Sequence, residues 1–332
     1  MEQEIAQAAA RLHADALVWD MVMPYEPTIG NDLSLMPRYK AAGFDYVSLT
    51  IAGDDHGITE AMKRLAAVRA QVLREPACYV LVETADDVLA AKAQGKLALG
   101  LHFEGTRLLE RDLNLIEVYY KLGVRHCLLA FNQANSVGGG CAERFDGGLT
   151  RFGIKVVEEM NRVGMLVDLS HVSYRTTLDT MELTAAPVIF SHSCVASIAQ
   201  HYRNLRDDQI RACARTAGVI GISGSSSYVG DDSSSNEAIF RHIDYVVQLV
   251  GPEHVGLGLD YVVDDKFVND YLRGRPEEWP RDESQPWKYI RFAPPEQAPG
   301  LTDLMLKSGY PADAVRGVLG ENFLRVCRQA WR

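Results

Sequence analysis

The 332-residue sequence predicts a (β/α)8 barrel of the TIM type, and three features carry that prediction. Short apolar runs alternate with helical stretches along almost the whole chain, the order of a parallel sheet covered by helices. The runs are bounded by turn residues and mostly lack polar interruption, as strands buried on both faces require. Eight or nine such runs suit a closed barrel better than an open sheet. Finally, five of them end on residues able to bind or catalyse: Glu104, Asn132, His171, His192 and Asp260. A barrel opens the carboxyl ends of all its strands into one mouth, where the chemistry of such folds is placed.

Met165–His192 shows the unit most clearly. Two apolar runs, Met165–Leu169 and Pro187–Phe190, each lead into a Ser-His pair, and Val172–Thr184 has the length of a crossover helix. Two imidazoles at the ends of adjacent parallel strands suggest a shared metal ion.

The remaining elements follow in order. An amphipathic helix opens the chain, Ala16–Met23 is the first strand, and Leu33–Ala42 is a short helix closed by Gly43. Phe44–Ile51 is the second strand. Thr59–Arg74 places Met62, Leu65, Val68 and Val72 at helical spacing. After a short strand at Tyr79–Val82, Thr84 caps a helix with an acidic first turn. Leu97–Leu101 is a strand running into His102 and Glu104, Leu113–Leu122 a helix, and His126–Phe131 a strand entering the glycine-rich loop Asn132–Gly148. Phe152–Val163 is a helix. Beyond His192 come helix Asp207–Thr216, strand Val219–Ser223, helix Glu237–Val250 and strand Val255–Leu259. Residues 261–299, rich in Pro, Trp and Arg, read as a long loop of the lid or binding kind. Helices at 301–307, 312–317 and 321–331 complete the chain. With no repeat and no linker, residues 1–332 are expected to form one domain.

Composition is that of an ordinary globular protein, 47% hydrophobic and 23% charged. A net charge of −10 disfavours nucleic acid and anionic membranes as partners. No apolar run approaches the roughly 18 residues of a membrane span, and the acidic start lacks the features of a signal peptide, which predicts a cytoplasmic protein. Six scattered cysteines without a CxxC pair read as reduced.

Several segments, taken together and in order, resemble the membrane (renal) dipeptidase family of zinc peptidases. They are Phe103–Gly105, Gly148–Gly153, Val156–Gly164, Asp168–Ser173, Ala186–Ser193, Arg203-Asn204, Gly256–Asp260 and Gly320–Val326. The resemblance implies a metallo-dependent hydrolase-like barrel that cleaves dipeptides at a binuclear zinc site. It makes Glu104 the carboxylate bridging the metals and His171 and His192 the histidines on one of them. It gives Arg203 the substrate carboxylate and Asp260 the leaving amine. Each role has a physical reason: a carboxylate can bridge two cations, an Arg fork matches a carboxylate, and an amine leaves only when protonated. Read without the resemblance, Arg203 is more often a solvated surface residue.

The sequence also departs from that family. Where the first strand should supply His and Asp to the other metal, Val22 and Pro24 stand, and neither can ligate through its side chain. The position of a substrate-contacting His holds Phe131, with Asn132 and Asn135 beside it as substrate-binding or turn-shaping residues. One zinc on Glu104, His171 and His192 is therefore expected, three protein ligands being the usual catalytic arrangement. His102 and Asp20 are expected to lie near each other under the site, as a buried polar pair or as substitute ligands. Asp54, Asp55 and His56 follow the second strand and could reach the mouth, but read first as solvated loop charges. Trp279, Trp287 and Tyr289 are candidates for a pocket wall or for a subunit interface; the long segment is consistent with a homodimer. The reaction expected is hydrolysis of an amide in a small substrate, a dipeptide first. A one-metal hydrolase of a lactone, N-acyl amino acid or cyclic amide, or a binding protein without chemistry, are the alternatives.

Overall fold

A computed structural model describes residues 2–281, 284 and 286–332. Among these residues nine strands form one parallel sheet: β1 (Trp19–Pro24), β2 (Tyr46–Gly53), β3 (Tyr79–Leu81), β4 (Leu97–Glu104), β5 (Val124–Leu128), β6 (Leu166–Asp168), β7 (Val188–Ser193), β8 (Val219–Ser223) and β9 (Val255–Gly258). The order is β1-β2-β4-β5-β6-β7-β8-β9, with β3 paired to β4 outside that path. Eight strands thus make the wall of a nearly closed barrel, and the short run at Tyr79 pairs only with the start of β4, before the stretch of β4 that pairs with β5. Helices between successive strands bury one stripe each; in 151–163, for example, Val156, Val157, Met160 and Val163 are buried.

The seam between β1 and β9 is closed by a side chain. Asp20 Oδ1 accepts from the backbone N–H of Leu259 at 2.9 Å and of Val22 at 3.2 Å, and Asp260 N–H donates to Val22 O at 3.3 Å.

The amino end of the barrel is plugged by aromatic rings. Trp19 stacks on Tyr46 with centroids 3.8 Å apart, and Phe323 from the last helix and Trp331 just after it pack against Trp19. Two glycines make room for them. A Cβ on Gly100 would lie 1.8 Å from the Tyr46 hydroxyl, and one on Gly256 2.3 Å from the Phe323 ring. With one end filled, an entering molecule meets the strands at their carboxyl ends.

Residues 261–299 are more regular than their composition predicts. Asp264 accepts from Phe267 N–H and caps a helix over Asp265–Arg273, and a second helix spans Ala298–Lys307. The neighbouring Pro and Trp residues hide this nine-residue amphipathic stretch. Among the described residues no helix is long and apolar enough to cross a membrane.

Candidate metal centre

His171 and His192 follow β6 and lie in β7, and their Nε2 atoms are 2.9 Å apart. Each ring is oriented from behind. His171 Nδ1 lies 2.7 Å from Asn132 Oδ1, whose amide nitrogen donates to Glu278 O, so the oxygen faces the ring and Nδ1 carries the hydrogen. His192 Nδ1 lies 2.8 Å from Ser191 Oγ, whose own hydrogen goes to Ser170 Oγ; Nδ1 again donates. Both Nε2 lone pairs therefore face each other. Burial, reinforced by the Arg203 charge, pushes both imidazoles well below the usual histidine range, so both are neutral.

Glu104, at the end of β4, completes the group: its Oε1 is 3.9 Å from His192 Nε2. Burial, then the charges of Asp260 and Asp168, raise its carboxyl well above the usual range. Among the described residues no group of three or more His, Cys, Asp or Glu is gathered at ligand spacing. The candidates come as a close imidazole pair with a carboxylate one short step away. Two neutral imidazoles and a carboxylate fit a borderline divalent cation such as zinc.

Asp168 braces this arrangement. Its Oδ1 accepts from Ser170 N–H at 3.0 Å and Ser191 N–H at 3.1 Å, tying together the residues that precede the two histidines. Its Oδ2 lies 3.1 Å from His126 Nδ1. Burial favours the neutral acid, but His126 and the accepted hydrogen bonds outweigh it and hold Asp168 below the usual range. From His126 a buried chain continues through Ser48 Oγ (2.9 Å), His102 Nδ1 (2.9 Å) and, from His102 Nε2, Thr50 Oγ1 (2.9 Å) to Glu104 Oε1 (3.5 Å). His102 and His126 stack with centroids 4.1 Å apart. The expected pairing of His102 with Asp20 does not occur, because Asp20 is committed to the β1–β9 seam. Asp168, His126, Ser48 and Thr50 were missed from the sequence. For Ser48 and Thr50 the one signal was polar residues at alternate positions of an otherwise apolar strand, as His102 and Glu104 are in β4.

The other candidates are placed as follows. Asn132, a substrate-binding candidate by sequence, is fully buried behind His171, and its amide is taken by the ring and by Glu278 O. Arg203 is buried, not solvated; it donates to Ser193 Oγ at 3.0 Å and His192 O at 2.7 Å, while its Nε has no partner. Asp260 lines the mouth with Glu104 and His171, and burial pushes its carboxyl up to about 7, with Arg203 opposing. Asp54 is buried, accepting from the N–H groups of Arg107 and Phe131 and from Asn135 Nδ2, so the two asparagines shape structure. Asp55 is about half exposed. Phe131 stacks on His171 with centroids 4.2 Å apart, and Trp279 meets both rings edge-on. Trp287 also lines the mouth, whereas Tyr289 is exposed beside Arg291.

Asn132, His171 and Asp260 share a left-handed backbone, with φ of 50°, 64° and 56°. Outside glycine that conformation costs roughly 1–2 kcal/mol, least for Asn and Asp. Such strain persists where the surroundings over-determine it, and it clusters at functional sites.

Residues 52–271 match the membrane dipeptidase family, peptidase family M19. An uncharacterised dipeptidase of Schizosaccharomyces pombe is 36% identical over 215 residues, 61% of this chain and 51% of that protein. A dipeptidase of Clonostachys rogersoniana is 35% identical over 183 residues, 54% and 47% of the two chains. The chain thus spans about half the length of these curated relatives. The crystal structure of an amidohydrolase from Pseudomonas aeruginosa superposes with a TM-score of 0.87 at 28% identity, covering 97% of this chain and 99% of that one.

Proposed function

The chain belongs to the membrane dipeptidase family, peptidase family M19, and on that premise we propose that it is a metal-dependent hydrolase cleaving an amide bond in a small substrate, a dipeptide first. The observation that carries the reading is the pair of Nε2 atoms of His171 and His192, 2.9 Å apart with both Nδ1 positions already donating. Two lone pairs turned toward each other at that distance repel, and a cation held to one side of both would relieve the repulsion. Glu104, His171 and His192 would hold it, and zinc suits this donor set. Val22 and Pro24 offer no ligand and Asp20 is engaged elsewhere, which favours one cation over two.

When bound, such a cation supplies Lewis acidity, polarising a carbonyl and acidifying a water molecule. The chain's own groups do the rest. Asp260, whose carboxyl holds its proton close to neutrality, would pass it to the departing amine. Arg203, a buried cation whose charge acts on both Glu104 and Asp260, would give a substrate carboxylate its positive partner. Phe131 and Trp279 cover one face of His171 and keep water from it. A reducing, cytoplasmic setting belongs to this reading, since all six cysteines are free.

The test is metal content by plasma mass spectrometry on protein purified without chelator, followed by a screen of dipeptides of both stereochemistries with added zinc. One zinc per chain with turnover is expected, and His171→Ala should lose both together. Turnover that survives in metal-free protein sinks the reading.

A further inference from the structure

Beside His171 the mouth widens into a cavity of about 720 Å³ with Glu104 and Asp260 among its walls. At ~30 Å³ per molecule that is room for roughly two dozen waters, in the range of pockets that enclose drug-sized ligands. Two alanine residues would leave most of it unfilled. The rest of the wall is largely apolar: Phe131, Tyr228, Leu272, Trp279, Trp287 and Phe292. Four of these six come from the segment after Asp260, not from the barrel. That wall is fixed in advance. Trp287 Nε1 donates to Asn269 Oδ1 at 2.8 Å, Ile290 N–H donates to the same oxygen, and Asn269 Nδ2 returns a hydrogen bond to Ile290 O. Arg203 does not line this cavity. It lines a second one of about 500 Å³, with Arg206, and His201 and Tyr202 stand between the two chambers, lining both.

On the role proposed above for Arg203, a substrate with its carboxylate in the second chamber and its amide carbonyl at Glu104 and His171 turns its acyl side to the apolar chamber. We propose that the protein selects amides whose acyl side is a bulky apolar group, aromatic above all, joined to a small carboxylate-bearing amine. The chemistry of this proposal rests on the hydrolytic reading: water adds, the C–N bond breaks, the acyl carbon keeps the hydroxyl and the amine takes the proton. The binding preference does not rest on it.

The experiment compares N-benzoyl-alanine with N-acetyl-alanine by titration calorimetry on the zinc-supplemented protein. It then compares kcat/KM for these two and for Phe-Ala and Ala-Ala. The bulky member of each pair should be favoured at least about 100-fold, given that single methylenes in apolar pockets are worth roughly 10- to 200-fold. The N-acyl and free-amine arms distinguish an acylated amino acid from a dipeptide. Trp287→Ala should shrink the calorimetric ratio about tenfold or more, while Trp287→Phe should retain most of it, circular dichroism verifying the fold of both. Equal binding of benzoyl- and acetyl-alanine overturns the proposal even if dipeptides are cleaved. Preferential benzoyl binding with no cleavage of any amide supports it and overturns the hydrolytic reading instead.

Discussion

Asn132 Oδ1 lies 2.7 Å from His171 Nδ1, and this contact sets the tautomer that turns the other nitrogen of the ring toward His192. Outer partners of this kind typically change metal affinity 10- to 100-fold. Asn132→Ala should therefore weaken zinc by about that factor, read by competition with a chromogenic chelator, while Asn132→Asp, which still accepts, should weaken it less. Unchanged affinity in Asn132→Ala would mean the contact is only structural.

Zinc should also stabilise the fold. A ligand that binds only the native state contributes about 2.7 kcal/mol at a hundred times its Kd, a rise of several degrees in Tm for a chain of this size. A strong chelator should reverse it. In His192→Ala the zinc-dependent rise should vanish.

Asp168 ties the two histidine-bearing strand ends through Ser170 and Ser191. Replacing it by Ala leaves two buried N–H groups and His126 without their acceptor, a loss on the order of 3–5 kcal/mol. Denaturant unfolding should show that loss. Zinc affinity should fall as well, because Asp168 joins the backbone of the residue before each imidazole, a tie that Ser170 Oγ and the strand pairing make only in part.

Asp20 separates the role of seam from that of ligand. Burial pushes its carboxyl up to about 8 against the hydrogen bonds from Leu259 and Val22, and Oδ2 and the neighbouring Tyr39 hydroxyl have no close partner but each other. The folded state then binds the proton more tightly than the unfolded chain, whose ordinary value is 3.8. This group's contribution to stability is full below that value and is lost as pH rises toward 8. Asp20→Asn keeps an acceptor for Leu259 and Val22, adds a donor for Tyr39 and removes the pH slope. It should be at least as stable as the parent at pH 8, with zinc stoichiometry unchanged. A drop in bound zinc would make Asp20 a ligand after all.

Asp260→Asn should lower kcat by roughly 10²- to 10⁴-fold, the usual worth of a positioned acid, with zinc content intact. Loss of metal together with activity would argue against the acid role.

Much of the fold was readable from local burial. Continuous apolar runs separated by helix-length stretches place eight strands in a barrel, and polar residues at their carboxyl ends mark Glu104, His171, His192 and Asp260. Val22 and Pro24 were legible too, since a residue that cannot ligate is recognised by type alone. The helix at 265–273 was lost to its composition, although Asp264 three residues before Phe267 is a capping signal.

The rest needed tertiary structure. That Arg203 is buried, that Asn132 orients His171, and that Asp20 closes a seam to Leu259, 239 residues away, depends on which strands are neighbours and in what register. Alternation and burial recur locally and are written into each segment. The partner of a buried hydrogen-bonding group is chosen only when distant segments pack, so one chain could declare its barrel and the polar residues at its mouth while leaving unsaid what holds them in place.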